Sequence, residues 1–298
     1  MLQQRYGRFL VTAQTLLWLI VAGTAALDAG LLLALGMTVA VSWSTVAGVL
    51  FLYCLSMVYR HRSAKLTVVS LLATQLVAFS YVGAILTYLA MAATPRPLAD
   101  DALARADAAL GFDWFSWFAF VSSHPKLELL LGLAYNSWPA QGLVLLGHQS
   151  VAEPKRVQEF LLAAMLSIIF ITPLMMLLPA VGHHIASVEP WRDDILALRN
   201  HSMRQLGAMQ GIVTFPSFHT ALGVLFPAMY RGRRWFLPVL TLNLVMIASV
   251  MTAGAHYLVD VLAGAAVALL ALAAARFVLA RCTAKDVVRQ DRLAAALD

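Results

Sequence analysis

The sequence predicts an all-α polytopic membrane helix bundle with about eight transmembrane helices, and three observations support this fold class. Hydrophobic residues make up 61% of the 298-residue chain and charged residues only 12%, which is far from the composition of soluble globular domains. Several apolar runs approach the ~20 residues that a helix needs to cross a bilayer. Lysine and arginine cluster in alternate segments between these runs, as expected for a chain that crosses the membrane repeatedly.

The N-terminal half contains four of the predicted spans, at residues 9–27, 40–59, 66–92 and 126–147. Arg5 and Arg8 precede the first run, which could be a signal peptide with small residues at 22–26; because the run is long, we favour an uncleaved span. Residues 98–110 have helical spacing of apolar positions, and residues 114–120 are rich in aromatic rings. They predict two short helices, of which the second either contacts lipid at the interface or packs beneath a site.

The C-terminal half contains the other four spans, at residues 158–178, 216–230, 236–253 and 257–279. The chain is predicted to be one integral membrane domain, 1–298, without an internal repeat. Its parts are two N-terminal spans (1–65), a core (66–280) with outer loops at 93–125 and 180–215, and a cytoplasmic tail (281–298) that forms an amphipathic helix. Polar residues interrupt the fourth span and either line a cavity or bind helices together. They are Tyr135, Asn136, Trp138, Pro139 and Gln141.

The charge distribution predicts the orientation of the chain. If the N-terminus is cytoplasmic, 15 of the 21 Lys and Arg residues fall in inside segments and 6 in outside segments, a clear positive-inside bias. Cys54 and Cys282 then both lie near cytoplasmic ends, so a disulfide framework is not expected. No metal site is predicted either.

Two short segments, 215–220 and 255–260, have the residue types of a phosphoryl-transfer site, and each opens an apolar run at the outer face. Pro216 suits the first helical position, where its missing N–H costs nothing. Ser217 and His219 would then lie on the first turn, beside unpaired backbone N–H groups and the positive end of the helix dipole, where a phosphate binds readily. A proline and a serine at a helix start are more often a plain cap.

In the second segment His256 and Asp260 are four residues apart, so they share a helix face and the carboxylate can hold the imidazole. Alone, such a pair is more often a local hydrogen bond. The two segments together favour a catalytic role. Asp260 lies inside an apolar span, and placing an ionisable residue within a membrane costs free energy that function usually explains. The sixth predicted span, 216–230, has only about 15 residues, or roughly 22 Å of helix. It is therefore expected to start below the outer surface, which makes the site recessed.

The P-S-F-H run at 216–219 and the H-x-x-x-D run at 256–260 resemble the last two motifs, P-S-G-H and S-R-x5-H-x3-D, of the type 2 phosphatidic-acid phosphatase superfamily. Over residues 214–264 the sequence is most similar to the inositol phosphorylceramide synthase-like (inositolphosphotransferase) branch and its bacterial relatives. The resemblance implies a six-helix phosphatase-like core. Together with the charge bias, it implies an integral protein of a bacterial inner membrane with the active site on the periplasmic side.

The sequence departs from the superfamily pattern at four positions. Phe218 replaces the motif glycine and Val250 replaces the arginine, while Ile171 and Leu178 stand where the first motif has its lysine and its arginine. A phosphate dianion still needs cations. We therefore expect at least one arginine of the loop before Pro216 to reach it, Arg204 being nearest in sequence; the alternative is that these arginines meet solvent or lipid head groups. The loop arginines are Arg192, Arg199 and Arg204, and the next candidates are His183 and His184.

The resemblance implies a double displacement without a metal or an organic cofactor. His256 attacks phosphorus and becomes phosphohistidine, while Asp260 holds its other ring nitrogen. His219 protonates the leaving oxygen and then deprotonates the acceptor. Ser217 and the backbone N–H groups stabilise the phosphoryl oxygens. The residues expected to bind the substrate are Ser217, Arg204, Arg192 and Tyr257.

The expected partners are a lipid phosphate substrate and membrane lipids, with no nucleic acid; the oligomeric state stays open. If the acceptor is water, the protein is a lipid phosphatase, and if it is a hydroxyl group, the protein is a phosphotransferase. A non-catalytic lipid-binding or transport protein on the same scaffold is the alternative from another class. The retention of both histidines and of Asp260 argues against it.

Overall fold

The structure, a computed structural model, describes residues 2–183 and 190–294 and is mostly helical there. Two two-residue strands, β1 (Thr38–Val39) and β2 (Gln205–Leu206), pair in parallel. The helices in chain order are α1 (Leu2–Leu35), α2 (Trp43–Tyr59), α3 (Ala64–Ala92), α4 (Asp100–Ala109), α5 (Trp114–Ser122), α6 (Pro125–Tyr135), α7 (Trp138–Val144, continued by a π-helical turn at Leu145–Gln149), α8 (Ser150–Ala152), α9 (Pro154–Leu177), α10 (Pro190–Arg199), α11 (Phe218–Met229), α12 (Phe236–Ala253) and α13 (Leu258–Ala294).

The fold class predicted from the sequence is confirmed. In the described part of the chain five helices are long and apolar enough to cross a membrane, namely α1, α3, α9, α12 and α13. Helix α6 and the α7–α8 segment together form a sixth candidate span, broken by a 45° bend. Helices α2 and α11 are apolar but shorter, with 17 and 12 residues. The chain is therefore an integral membrane helix bundle in which all eight predicted apolar runs are helical.

Helix α1 is longer than predicted, because it continues to Leu35 instead of ending near residue 27. Asp28 interrupts the apolar run in the sequence, but its side chain is buried and the helix passes through it. Leu31 and Leu35 then pack against a buried cluster that includes Met175 of α9. Residues 28–35, which follow the predicted first span, are thus helical, since this packing stabilises the helical conformation. The predicted loop at 180–215 likewise contains α10 and β2.

The main core lies where α3, α9, α11 and α13 meet. Phe160 of α9 stacks on Phe226 of α11 with ring centroids 5.0 Å apart, and Leu161 and Leu225 are buried beside them. Helix α13 contributes small residues such as Ala268, which let its backbone approach its neighbours closely. Such close packing, instead of exclusion of water, holds helices together in lipid.

Helix α11 lies within this core and is anchored at its C-terminal end. Arg156, on the first turn of α9, donates from Nη1 to the carbonyls of Met229 and Arg231, each at 2.9 Å. Glu153 pairs in turn with Arg156 and Arg233. A cation at this end satisfies carbonyls that the helix leaves open and complements its dipole. The 12 residues of α11 span only about 18 Å, well short of the ~30 Å hydrocarbon core, so its other end starts inside the bundle.

The two short helices predicted between the third and fourth spans are present as α4 and α5. The aromatic residues of α5 divide between the two predicted roles. Trp114 is buried and donates from Nε1 to the carbonyl of Met251 at 2.7 Å, whereas Phe115 and Phe120 are exposed. Helix α5 therefore packs against the end of α12 and presents Phe115 and Phe120 to the surroundings.

Candidate active site

The start of α11 offers free hydrogen-bond donors. Ser217 is the N-cap, with an extended backbone (φ −66°, ψ 115°), and its Oγ accepts from the N–H of Thr220 at 3.3 Å. The prediction that Pro216 takes the first helical position is wrong, because the extended Ser217 places the helix start at Phe218. In the described chain the N–H groups of Phe218 and His219 have no acceptor. They remain available to an anion at the positive end of the helix.

The start of α13 is different, because carboxylates already occupy its N–H groups. Asp107 of α4 accepts from Leu258 and Val259 at 2.8 and 2.9 Å, and Asp260 Oδ2 accepts from the N–H of Tyr257 at 2.9 Å. Two helix starts thus meet in this region, and of these two only α11 presents unoccupied donors.

His256 and Asp260 form the pair that their spacing predicts. His256 Nδ1 lies 3.2 Å from Asp260 Oδ2, and the Asp260 side chain is fully buried. Since the carboxylate oxygen is an acceptor, it favours the tautomer with the proton on Nδ1 and leaves the lone pair on Nε2. That Nε2 atom faces the hydroxyl of Ser217 across 3.5 Å. The unprotonated nitrogen is therefore directed at the open start of α11.

Helices α11 and α13 are in backbone contact at the site. The N–H of Ser217 donates to the carbonyl of Asp260 at 3.1 Å. A Cβ atom at Gly264, one turn further along α13, would lie 2.3 Å from the carbonyl oxygen of Ser217, so only glycine allows this approach. The motif comparison did not single out Gly264, although a glycine one turn after the aspartate was the available signal.

His219 lies in an aromatic environment on the first turn of α11. Its ring stacks on Tyr135 with centroids 4.2 Å apart, and Trp138 meets it edge-on at 6.3 Å. Its Nε2 is buried and has no partner in the described chain, and the ring is within electrostatic range of His256. The polar residues of the fourth span thus have two roles. Tyr135 packs on the site, whereas Gln141 binds helices together by accepting from Asn243 at 2.7 Å.

Comparison with known proteins agrees with this geometry. The sequence model of the PAP2 superfamily matches residues 101–274, more than half of the chain and a range that includes both histidines, Ser217 and Asp260. The chain belongs to the PAP2 superfamily. Membership indicates a phosphatase-type enzyme. Comparisons with curated proteins and with solved structures gave no significant match.

In this PAP2-superfamily protein a further histidine packs beside the site. The ring of His183 stacks on Trp114 at 4.0 Å and lies 4.2 Å from the ring of Tyr257. Burial lowers the pKa of His183 to about 4, which favours the neutral ring in the free protein, and its role as a substitute cation stays a prediction. His184, the other histidine predicted for this role, lies outside the described residues.

The phenol of Tyr257 is bound by a side chain of α4. Its hydroxyl donates to Asp100 of α4 at 3.2 Å. Burial, with the negative charge of Asp100, raises the pKa of Tyr257, so the phenol stays protonated. Its predicted role in binding the substrate stays a prediction, and the contact that the structure shows is structural.

Two of the three loop arginines hydrogen-bond to backbone carbonyls elsewhere in the chain. Arg204 Nη1 donates to the carbonyl of Leu35 at 3.3 Å, and Arg199 donates to the carbonyl of Arg96. Arg192 is half-buried on α10. Among the described residues, no ion pair or hydrogen bond joins an arginine to His219, His256 or Asp260. The structure thus brings Ser217, His256 and Asp260 together with His219 near them, and the role of the arginines stays a prediction.

Proposed function

We propose that this protein is a membrane-embedded lipid phosphatase or phosphotransferase that cleaves a lipid-linked phosphate ester through a phosphohistidine at His256. One observation carries the proposal. The buried Asp260 holds Nδ1 of His256, and the free Nε2 faces the unoccupied N–H groups at the start of α11. A nucleophile and an anion-binding turn therefore share one position, as attack on a bound phosphoryl group requires.

The proposed first step is an attack of His256 Nε2 on phosphorus. The phosphorus–nitrogen bond forms as the bond to the leaving oxygen breaks, and a protonated His219 gives its proton to that oxygen. Asp260 stabilises the positive charge that develops on the imidazole of His256. The hydroxyl of Ser217 and the first N–H groups of α11 stabilise the phosphoryl oxygens.

In the second step the acceptor oxygen attacks phosphorus, His219 takes its proton, and the phosphorus–nitrogen bond breaks. The likeness of residues 214–264 to the inositol phosphorylceramide synthase-like branch supports an alcohol acceptor and hence a phosphotransferase. The missing motif cations at 171, 178 and 250 support a specialised substrate. We place the reaction on the periplasmic side of a bacterial inner membrane, an assignment that rests on the charge bias and on the likeness to bacterial relatives.

A panel of lipids tests the proposal. Purified protein in detergent is incubated with phosphatidic acid, phosphatidylglycerol phosphate or a polyprenyl diphosphate, each with and without alcohol acceptors. A phosphatase releases inorganic phosphate, whereas a phosphotransferase forms a new ester only when the acceptor is present. His256→Ala is the negative control. Binding of these lipids without turnover of any of them would favour the non-catalytic alternative.

A further inference from the structure

One face of α4 is turned toward the segments that carry the site. Asp100, Leu103 and Asp107 are three and four residues apart, so they share this face. Leu103 is buried and packs with Ala180 and Tyr257. The helix itself contributes none of the reacting groups. Its face nevertheless meets the chain before α10 and the chain that leads into α13.

Asp107 fixes the point at which α13 begins. Its side chain is only 2% exposed, and its two oxygens accept separately from the N–H groups of Leu258 and Val259, at 2.8 and 2.9 Å. A carboxylate only accepts hydrogen bonds, so both oxygens suit this task. These N–H groups follow His256 by two and three residues. Any movement of Asp107 therefore moves the backbone next to the imidazole.

Asp100 links the loop that follows α9 to the segment that leads into α13. Its Oδ1 accepts from the N–H of Gly182 at 2.9 Å and from the hydroxyl of Tyr257 at 3.2 Å. The N–H of His183 in turn donates to the carbonyl of Ala255 at 2.9 Å. Gly182 adopts a φ of 80°, and a Cβ there would lie 2.7 Å from that carbonyl oxygen. The backbone of the loop is thus in close contact with Ala255, the residue before His256.

We propose that Asp100 and Asp107 are positioning residues of the reaction, which hold residues 255–259 so that His256 Nε2 stays directed at the start of α11. The proposal rests on the proposed function, in which His256 is the nucleophile. Neither aspartate touches the reacting atoms. Asp107 has a second effect, because it occupies the donors of α13 that would otherwise compete with α11 for the phosphate.

The test compares Asp107→Asn with Asp101→Asn. The asparagine keeps the shape of the side chain but has one acceptor oxygen, so one of the two bonds to α13 is lost. Asp101 lies on the same helix and is exposed, so its variant makes the same change of charge without touching the site. Turnover of the lipid found in the panel is measured together with hydrogen–deuterium exchange of peptides covering 255–262.

We expect Asp107→Asn to lower kcat about 10- to 100-fold with KM within about twofold, because a misplaced nucleophile slows the chemical step and leaves binding unchanged. Exchange at 258–259 should accelerate, while Asp101→Asn resembles the wild type in both measurements. If Asp107→Asn does not fold, Asp100→Asn provides the same test on the other carboxylate.

Two results would overturn the proposal. One is a folded Asp107→Asn protein with wild-type kcat and wild-type exchange at 258–259. The other is a loss of activity in proportion to the loss of folded protein. In that case the turnover rate per molecule that can form phosphoenzyme equals the wild-type rate. If the wild type turned over none of the lipids, the proposed function would fail instead, and the exchange measurement alone would decide whether α4 holds the segment.

Discussion

At the scale of residues, the two histidines of the site lie in unlike surroundings. His256 has a buried carboxylate on one nitrogen, whereas His219 has an aromatic ring on its face and an unpartnered Nε2. A nucleophile needs a fixed tautomer, which only a group such as Asp260 supplies here. A proton donor needs a nitrogen that is free to meet the leaving oxygen. The surroundings therefore support the assignment of His256 to attack and of His219 to proton transfer.

Substitutions separate these roles. His256→Ala should abolish both turnover and phosphoenzyme. His219→Ala should lower turnover of the lipid by about 10²- to 10⁴-fold but spare some activity on p-nitrophenyl phosphate, whose leaving group needs no acid. Asp260→Asn should fold and lose much of the rate, because the amide disturbs the tautomer of His256. The measurement is trapping of acid-labile phosphate on the protein, followed by peptide mapping. Phosphate on His219 would reverse the assignment.

The loop arginines give a second prediction at this scale. Replacing Arg192, Arg199 and Arg204 together by alanine should lower kcat/KM for the lipid, because these are the predicted outer-side arginines of the loop that leads into Pro216. Arg204 must exchange its bond to the carbonyl of Leu35 for the phosphate in order to act. Single variants identify which guanidinium is responsible, and Arg105→Ala on α4 serves as the control. Normal turnover by the triple variant would exclude all three.

At the scale of elements, the backbone contact between α11 and α13 sets the geometry of the site. Gly264→Ala adds a methyl group 2.3 Å from the carbonyl of Ser217, and the atom it meets is backbone that cannot rotate away. We expect a loss of about 1–3 kcal/mol in unfolding free energy and a larger relative loss of turnover. Gly48→Ala in α2, where a Cβ has open space, should be neutral or slightly stabilising. Thermal unfolding and lipid turnover of both variants provide the comparison, and equal behaviour would refute the role of the contact.

Much of the helical framework could be predicted because apolar runs of sufficient length form helices in lipid whatever their partners. The pair His256 and Asp260 could be predicted for a similar reason, since its geometry follows from local spacing on one helix. The contacts of Asp107 with Leu258 could not, because they join residues 151 positions apart and depend on how α4 docks. The end of α1 was missed because a buried Asp28 looks like a loop residue when only its neighbours in sequence are considered.

At the scale of the whole molecule, the positive-inside bias predicts that the site lies on the outer face. Loops holding Arg96 and Arg192 should face outward, and those holding Arg62 and Arg233 should face the cytoplasm. Single cysteines placed at these positions, in a protein without Cys54 and Cys282, are treated in intact cells with a thiol reagent that does not cross the membrane. Labelling is expected at 96 and 192. Labelling at 233 but not at 192 would move the site to the other side.

The anchored, short α11 makes the thickness of the bilayer a variable of the reaction. Arg156 holds one end of the helix, and the 12 residues of α11 place Ser217 only about 18 Å away. In the proposed reaction the phosphorus would therefore sit at a depth fixed by the protein. A lipid phosphate would have to move out of the head-group plane to reach this depth, and the distance it moves increases as the bilayer thickens. Turnover should therefore be faster in bilayers of 14-carbon than of 22-carbon acyl chains, while a water-soluble ester shows no such dependence. A lipid rate that does not change with chain length would place the site at the surface, and an equal dependence for both substrates would show that the bilayer acts on the protein itself. If the expectation holds, local thinning of the membrane would speed the reaction.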